Sequence, residues 1–337
     1  MNKFLISAAA IAAVAGLSGV TVAEAKTWNL SVWGKKRAFT MGIEQMAAYV
    51  NEKSGGKFKI RIGYGSQLSK PKENLDGIKL GAFPMAMFCS SYHPAKTPTL
   101  SGLDLPFLPI ANFDVQRNVS EAYYAHPAVV ADLAKWDAKF VMSSILPQYE
   151  FMGKGEPPVA MADWSGKQVR ALGGMGKAMA AIGAVPATVP APETYSLVER
   201  GAVYGASWPF SYAHVAYKLH EISDWFTSNM SLGSANCPLV VNTKAWDKLE
   251  PEYQKLIMEA KDSAYAALKS AYAEKDAVNL PMLRKKLVEV KYSDADLKTL
   301  RAAGGKPIWD AWIAESSKDN VPAQELFDLI IKTADGS

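Results

Sequence analysis

Apolar and polar positions follow two different periods along the first ninety residues. Strict alternation at residues 28–32 and 57–62 predicts strands with one face in the core and the other in solvent. Between them, apolar residues recur on one helical face and stop at Gly55 and Gly56. A second helix is predicted over residues 72–80, and the apolar run at 82–89 predicts a fully buried strand. This order is typical of a parallel sheet covered by helices.

The same alternation of strands and helices restarts near residue 140. It predicts further strands at residues 140–145, 167–171, 201–208 and 238–242, with helices at 176–183 and 193–199. A long helix is predicted from residue 251 to about 279, where Pro281 is expected to kink or end it. We therefore expect an α/β protein with two lobes around a ligand cleft. Lobe I takes residues 26–147 and 237–275, and lobe II takes 148–236 and 276–337.

The N-terminus has the three regions of a secretory signal peptide. Lys3 precedes an apolar run from Phe4 to Val20, and Ala23-Glu24-Ala25 is a small-x-small cleavage signal. The alternative is a membrane anchor, but the run is short for a bilayer and ends at a cleavage site. We expect cleavage after Ala25, a mature protein that does not insert in the membrane, and a periplasmic location.

Charge and cysteine content exclude several classes of protein. The net charge of +4 is mild, and only the triplets at residues 35–37 and 284–286 cluster basic side chains. Such triplets usually lie on a solvated face, so no nucleic-acid partner is predicted. Cys89 and Cys237 are too few for a disulfide scaffold. Export makes one bridge between them possible, and the sequence leaves that open.

Signatures of catalysis or metal binding are absent from the sequence. No cluster of Cys and His has metal-ligand spacing, so neither a metal nor a cofactor is expected. The chain contains no Gly-x-Ser-x-Gly elbow and no nucleotide-binding glycine motif. A periplasmic hydrolase with paired carboxylates stays open as an alternative. The favoured interpretation is a binding protein, not an enzyme.

Aromatic and hydrogen-bonding residues follow the predicted strands at their carboxyl ends. Ligands of open parallel sheets collect at that edge, where aromatic walls and a few polar groups make a small-molecule pocket. The candidate ligand-binding residues are Trp33, Ser91, Tyr92, His93, Gln148, Glu150, Phe151, Arg170 and Trp208.

Arg170 is the most specific of these candidates. An arginine at the end of an apolar strand keeps its proton and requires an anionic partner. Its planar fork matches a carboxylate, and the glycines at 173, 174 and 176 permit close approach of a ligand. An internal salt bridge to Asp163, Glu193 or Glu150 is the alternative.

The other candidates have structural alternatives too. Trp208 and Tyr92 also fit packing between the lobes. His93, which precedes a proline, also fits a backbone cap, and Ser91 can cap the segment that follows it.

Several blocks of residues, in a fixed order, resemble TRAP-type solute-binding proteins. They are Ser54-Gly55-Gly56-Lys57, Asp104-Leu105-Pro106-Phe107-Leu108, Ser165-Gly166-Lys167-Gln168-Val169-Arg170, Glu193 to Gly205, and Val241-Asn242 with Trp246 and Leu249. The resemblance implies two α/β lobes, a long helix that spans both, and delivery of an organic acid to TRAP membrane permease subunits. It also implies that Arg170 holds the ligand carboxylate.

Departures from the family pattern narrow the expected ligand. Sialic-acid-type members carry a second arginine upstream of the first, and Glu150 or a neighbour stands at that position. The subgroup for α-keto acids ligates a metal with a glutamate that aligns with Ser207, which argues against a bound cation. We therefore expect a monocarboxylate, aromatic or hydroxylated, or a zwitterion with its cation over tryptophan.

In this hypothesis, Trp208, Tyr92 and Phe151 form the apolar wall, and Glu150 or Gln148 meets a hydroxyl or amine. An ABC-type or sensor-coupled solute receptor is the alternative within binding proteins.

Overall fold

The computed structural model describes residues 25–110 and 112–337. The predicted signal peptide therefore lies outside the described residues, except for Ala25. The described part is a mixed α/β structure with two sheets. Its strands are β1 (Lys26–Ser31), β2 (Phe58–Gly63), β3 (Met85–Met87), β4 (Ala138–Ser143), β5 (Tyr149–Gly153), β6 (Gln168–Arg170), β7 (Val185–Ala187), β8 (Gly205–Pro209), β9 (Trp225–Thr227), β10 (Pro238–Asn242) and β11 (Val288–Val290).

The first sheet has five strands in the order β2-β1-β3-β10-β4. β1 pairs in parallel with β2 and β3, as the sequence pattern predicts. β10 runs antiparallel to both β3 and β4, so this sheet is mixed. The chain thus returns from the second lobe to complete the first sheet, which places the end of β3 beside the start of β10.

The second sheet has six strands in the order β11-β9-β5-β8-β6-β7. Strand β5 lies at its centre and pairs antiparallel with β8 and β9. The sequence pattern did not predict β5, because all five of its residues are buried and no alternation marks it. The parallel pair β6 and β8 brings Arg170 beside Ala206, so the end of β6 lies beside the start of β8.

Helices cover both sheets. They are α1 (Met41–Lys53), α2 (Asn74–Leu80), α3 (Phe113–Ala125), α4 (Pro127–Ala134), α5 (Gly173–Ala181), α6 (Ala191–Glu199), α7 (Tyr212–Ala216), α8 (Thr243–Asp247), α9 (Pro251–Lys286), α10 (Asp294–Gly304), α11 (Lys306–Lys318) and α12 (Ala323–Asp335). α2 ends where predicted, at Gly81, whose φ of 69° is a left-handed conformation that glycine adopts without strain. Across residues 25–110 and 112–337, no helix has the length and apolar character needed to cross a membrane.

Helix α9 is the long helix of the family resemblance. It packs on α1 and β4 of the first lobe and on α7 and β11 of the second, so it spans both. Pro281 was expected to kink or end this helix. The helix does not end there, because it continues through Pro281 to Lys286. Leu283, beyond the proline, is fully buried, and its packing offsets the hydrogen bond that the proline removes.

The C-terminal helices divide between the lobes, because α10 packs on α5 of lobe II whereas α12 packs on the side of the first sheet. α12 contacts α3, and Leu326 and Ile330 join a core cluster with Tyr123 and Val240. The sequence interpretation had placed residues 276–337 in lobe II. We propose instead a division by packing, in which α12 belongs with lobe I.

Candidate ligand-binding site

A cavity lies between the two lobes, where the strands end. Clefts of this kind, between lobes and at strand ends, are common sites for small molecules. Seven of its fifteen lining residues are aromatic, and the described residues that line it include no aspartate, glutamate or histidine. The lining residues are Trp33, Arg37, Phe39, Cys89, Tyr92, Leu146, Tyr149, Arg170, Ala191, Trp208, Pro209, Tyr212, Ala213, Tyr217 and Cys237.

Arg170 enters this cavity from the end of β6 and is only 1% exposed. Its Nε donates to the carbonyl of Val189 at 3.0 Å, and its Nη1 donates to the carbonyl of Ser207 at 2.6 Å. These bonds fix the plane of the guanidinium but leave its positive charge uncompensated. The arginine ion pairs found within the described residues involve Arg117 and Arg284. The alternative of an internal salt bridge is therefore not what the structure shows.

Trp208 forms the wall beside Arg170. Its ring lies 5.9 Å from the guanidinium carbon of Arg170 and 5.0 Å from the ring of Tyr217. The indole is 1% exposed, and its N–H has no hydrogen-bond partner within the described residues. Trp33 and Tyr92 pack edge to face at 5.9 Å on the lobe I side. Three of the predicted aromatic candidates thus line one cavity.

Arg37 also lines the cavity, which the sequence interpretation missed. Its Nη1 donates to the carbonyls of Trp33 and Lys35, each at 2.8 Å. Its guanidinium carbon lies 4.7 Å from the ring of Phe39 and 5.5 Å from that of Tyr217. The expectation of a solvated triplet is correct for Lys35 and Lys36, which are exposed, but not for Arg37, which is half-buried. The aromatic residues at positions 33 and 39 were the available signal.

Buried tyrosines supply hydroxyl groups around the cavity. Burial raises the pKa of Tyr149, and the positive charge of Arg170 opposes that shift. Burial likewise raises the pKa of Tyr217, against the charges of Arg37 and Arg170. Both phenols stay protonated at neutral pH and can donate hydrogen bonds to an acid.

Ser91 and Tyr92 lie where the lobes meet. The Tyr92 hydroxyl accepts a hydrogen bond at 3.1 Å from the N–H of Ala191, in the opposite lobe. Ser91 lies outside the cavity and lines a larger neighbouring hollow, together with Asp104 and Gly174. Tyr92 lines both this hollow and the cavity.

Glu150 and Phe151 lie outside the cavity lining. Glu150, 2% exposed, accepts hydrogen bonds from the Thr227 hydroxyl at 2.6 Å and the Ser231 N–H at 2.8 Å. Burial raises its pKa to about 7. Phe151 packs against Trp164 with the ring centroids 4.7 Å apart. The placement therefore corrects the hypothesis of a ligand contact for both residues, because their side chains are committed to the interior of lobe II.

His93 and Gln148 also lie outside the lining. His93 packs edge to face on Phe88 at 5.7 Å, and burial lowers its pKa to about 4. The backbone carbonyl of Gln148 accepts from the N–H of Phe210 at 3.1 Å. The contacts of these two residues lie within the protein interior around the cavity, and neither residue is part of its lining.

The sequence left the pairing of the two cysteines open. In the structure they form a disulfide that joins the segment just after β3 to the segment just before β10. Both half-cystines line the cavity. Among the described residues, no group of three metal-ligating side chains comes together.

The sequence matches a known family of binding proteins over most of its length. The model of the bacterial extracellular solute-binding proteins, family 7, matches residues 31–316. The chain belongs to this family. The resemblance to TRAP solute-binding proteins is confirmed, and the family consists of solute-binding receptors rather than enzymes.

Individual relatives of this solute-binding protein share the fold at low identity. A monocarboxylate 2-oxoacid-binding periplasmic protein of Nostoc sp. is 23% identical, over 87% of this chain and 80% of its own length. A marine metagenome TRAP solute-binding protein specific for aromatic acid ligands, solved with metahydroxyphenylacetate, superposes with a TM-score of 0.83 at 20% identity. That match covers 92% of this chain and 99% of the other.

A TRAP solute-binding protein from Rhodoferax ferrireducens, solved with copurified benzoate, gives a TM-score of 0.82 at 17% identity. The match covers 92% of this chain and 98% of that protein. Together these structures confirm the two-lobed α/β fold expected for a solute-binding protein of this family.

Proposed function

We propose that this protein is a periplasmic receptor that binds a small organic acid through one carboxylate at Arg170 and delivers it to a TRAP permease. The observation that carries the proposal is the environment of Arg170. A guanidinium that is 1% exposed lines a cavity without any acidic residue among those described. A buried cation of this kind is stable only with an anionic partner, and a carboxylate matches its planar fork.

The body of the ligand is proposed to be flat and aromatic or hydroxylated. Trp33, Trp208 and Tyr92 offer ring faces and edges, while Tyr149 and Tyr217 offer hydroxyl groups. The relatives solved with metahydroxyphenylacetate and benzoate support this size and shape. Arg37 also lines the cavity. The proposal therefore assigns one carboxylate of the ligand to Arg170 and does not limit the ligand to a single carboxylate.

The receptor role is favoured over hydrolysis by the chemistry of the lining. Hydrolysis of the paired-carboxylate type needs an acid and a base around the reacting bond. The cavity lining described above offers arginines, tyrosines, tryptophans and a disulfide, and none of these pairs as an acid and a base at neutral pH. We propose that the bound acid is released chemically unchanged.

Export and delivery follow from the N-terminus and the family. The predicted signal peptide of residues 1–25 would place the mature protein in the periplasm. Membership of a family of extracellular solute-binding proteins supports a TRAP permease as the partner. An ABC-type or sensor-coupled receptor would use the same cavity, and transport by the reconstituted receptor with a TRAP permease separates these roles.

A thermal-shift screen tests the proposal. Small aromatic and hydroxylated acids are compared with their primary amides, which keep the shape but not the charge. A ligand present at a hundred times its Kd adds about 2.7 kcal/mol to the free energy of unfolding. We expect shifts with acids and none with amides, and mass spectrometry should recover the acid intact. Equal shifts with amides, or conversion of the acid, would refute the proposal.

A further inference from the structure

Two arginines from opposite lobes meet in one cavity. Arg37 comes from the segment after β1 in lobe I, and Arg170 comes from the end of β6 in lobe II. A carboxylate held by Arg170 accounts for one positive charge. The second charge, on Arg37, has no role in the function proposed above.

A single pair of aromatic rings connects the two guanidiniums. Trp208 lies 5.9 Å from the guanidinium carbon of Arg170, and Tyr217 lies 5.5 Å from that of Arg37. The two rings are 5.0 Å apart. A flat ligand lying along this ring pair would therefore have one cation near each of its ends.

The charge of Arg37 is not compensated by a carboxylate. Its Nη1 donates to two neutral carbonyls, and its other close neighbours are aromatic rings. The nearby Glu44 is occupied by Lys36, at 2.7 Å, and by the Thr40 hydroxyl. Stacking on rings lowers the energy of a cation but leaves its charge in place.

Three hydrogen-bond donors without partners belong to residues that line the cavity. Arg37 Nε, the Tyr217 hydroxyl and the Trp208 indole N–H are all buried, with no hydrogen-bond partner among the described residues. Tyr217 as a whole is half-buried, but its hydroxyl oxygen is shielded from solvent. Such groups cost free energy unless a ligand or water accepts from them. Their residues all line the cavity, where an oxyanion would satisfy them.

We propose that Arg37 binds a second carboxylate of the ligand, so that the cognate ligand is a compact diacid with a flat body. The inference rests on the function proposed above and deepens it. Arg170 holds one carboxylate, the Trp208–Tyr217 pair contacts the body, and Arg37 holds the other carboxylate. The sequence analysis expected a monocarboxylate because it found a single candidate arginine. Arg37 is a second arginine in the cavity, so that reason no longer holds.

The surface outside Arg37 has the matching charge. Arg37 and Tyr212 also line a surface hollow with Lys35, Lys36 and Lys275. Positive side chains at an entrance raise the local concentration and the association rate of anions, and a dianion gains more than a monoanion. This hollow therefore favours the same class of ligand.

Calorimetric titration with matched probes tests the inference. The probes are benzoate, 3-hydroxybenzoate, isophthalate and terephthalate, which add a hydroxyl or a second carboxylate to one ring. We expect the better-fitting diacid to bind the wild-type protein about tenfold or more tightly than benzoate, as one additional charge-assisted contact predicts. This comparison needs no variant.

Arg37→Gln should then remove that preference. We expect the diacid affinity to fall about 10- to 100-fold, while the benzoate affinity changes less than about threefold. The matched control is Arg61→Gln, the same change at an exposed arginine on β2 of the same lobe. Arg37→Lys keeps the charge and should keep part of the preference. Melting of each ligand-free variant checks that it folds.

Three outcomes would overturn the inference while leaving the receptor function intact. One is that diacids bind no better than benzoate. Another is that Arg37→Gln weakens benzoate and diacids equally, which would make Arg37 a structural residue. Equal binding of 3-hydroxybenzoate and isophthalate would also overturn it, because a neutral hydroxyl would then suffice. Failure of every acid to bind would instead overturn the proposed function itself.

Discussion

Gly174 is the position where a single methyl group opposes closure of the lobes. It lies in the first turn of α5, facing residues 104–106 of lobe I. A Cβ at this position would lie 2.6 Å from the carbonyl oxygen of Asp104, 2.7 Å from Cδ of Pro106 and 3.0 Å from Cα of Leu105. These are backbone and ring atoms that cannot rotate away. Gly174→Ala is therefore relieved only by moving the lobes apart.

The magnitude follows from the overlap. Forcing an extra methyl group into a packed contact costs about 1 to 3 kcal/mol. If this cost destabilises only the closed form, the affinity for ligand falls roughly 5- to 150-fold. The open form lacks the overlap and becomes slightly more stable, because alanine favours a helix by up to about 1 kcal/mol over glycine.

Calorimetric titration of the tightest-binding acid measures the effect. The matched control is Gly176→Ala, two residues along the same helix. There, Cβ would meet Ala171 and Pro186, both of the same lobe, at 3.3 Å. For Gly174→Ala we expect weakened binding and a ligand-free melting temperature that is equal to or slightly above that of the wild type. For the control we expect near wild-type affinity. Wild-type affinity in Gly174→Ala would show that this contact is absent from the ligand-bound form.

Two further predictions concern stability. Glu150, with its pKa raised from 4.5 to about 7 by burial, binds a proton more tightly in the folded state, so the free energy of unfolding should fall as pH rises from 4.5 to 7. Burial also raises the pKa of Asp104 to about 7, so Glu150→Gln should reduce the slope of that part of the urea-denaturation profile without removing it. An unchanged slope would contradict the assignment. The Cys89–Cys237 disulfide closes a separation of 148 residues, and its reduction should cost roughly 2 to 5 kcal/mol in urea denaturation. No loss on reduction would contradict this.

Much of the fold could be predicted because the local patterns agree with it. The buried strand β10 was predicted at its observed bounds, and α2 ended at the glycine that its pattern indicated. Strand β5 escaped prediction because its residues are buried on both faces, so no period distinguishes it. Helix α9 continued past Pro281 because packing of the following residues outweighs a local preference.

The positions of the candidate site residues were predicted best where chain geometry alone fixes them. Arg170 and Trp208 lie at strand ends, and the ends of neighbouring strands meet at one edge of a sheet. Arg37 was missed because its burial depends on Tyr217, a residue of the other lobe that no local pattern connects to it. Glu150 was misassigned because its hydrogen-bond donors, at residues 227–231, are distant in sequence.

Arg170 is proposed to bind the carboxylate of the ligand, and the proposed function depends on this contact. Its most direct test is a calorimetric titration of the wild-type protein and of Arg170→Gln with the tightest-binding acid from the screen. Gln keeps a polar side chain but removes the charge and the fork, and we expect a loss of about 100-fold or more in affinity. The ligand-free variant should melt as a folded protein. Affinity within about threefold of wild type, which is less than 1 kcal/mol, would contradict the account.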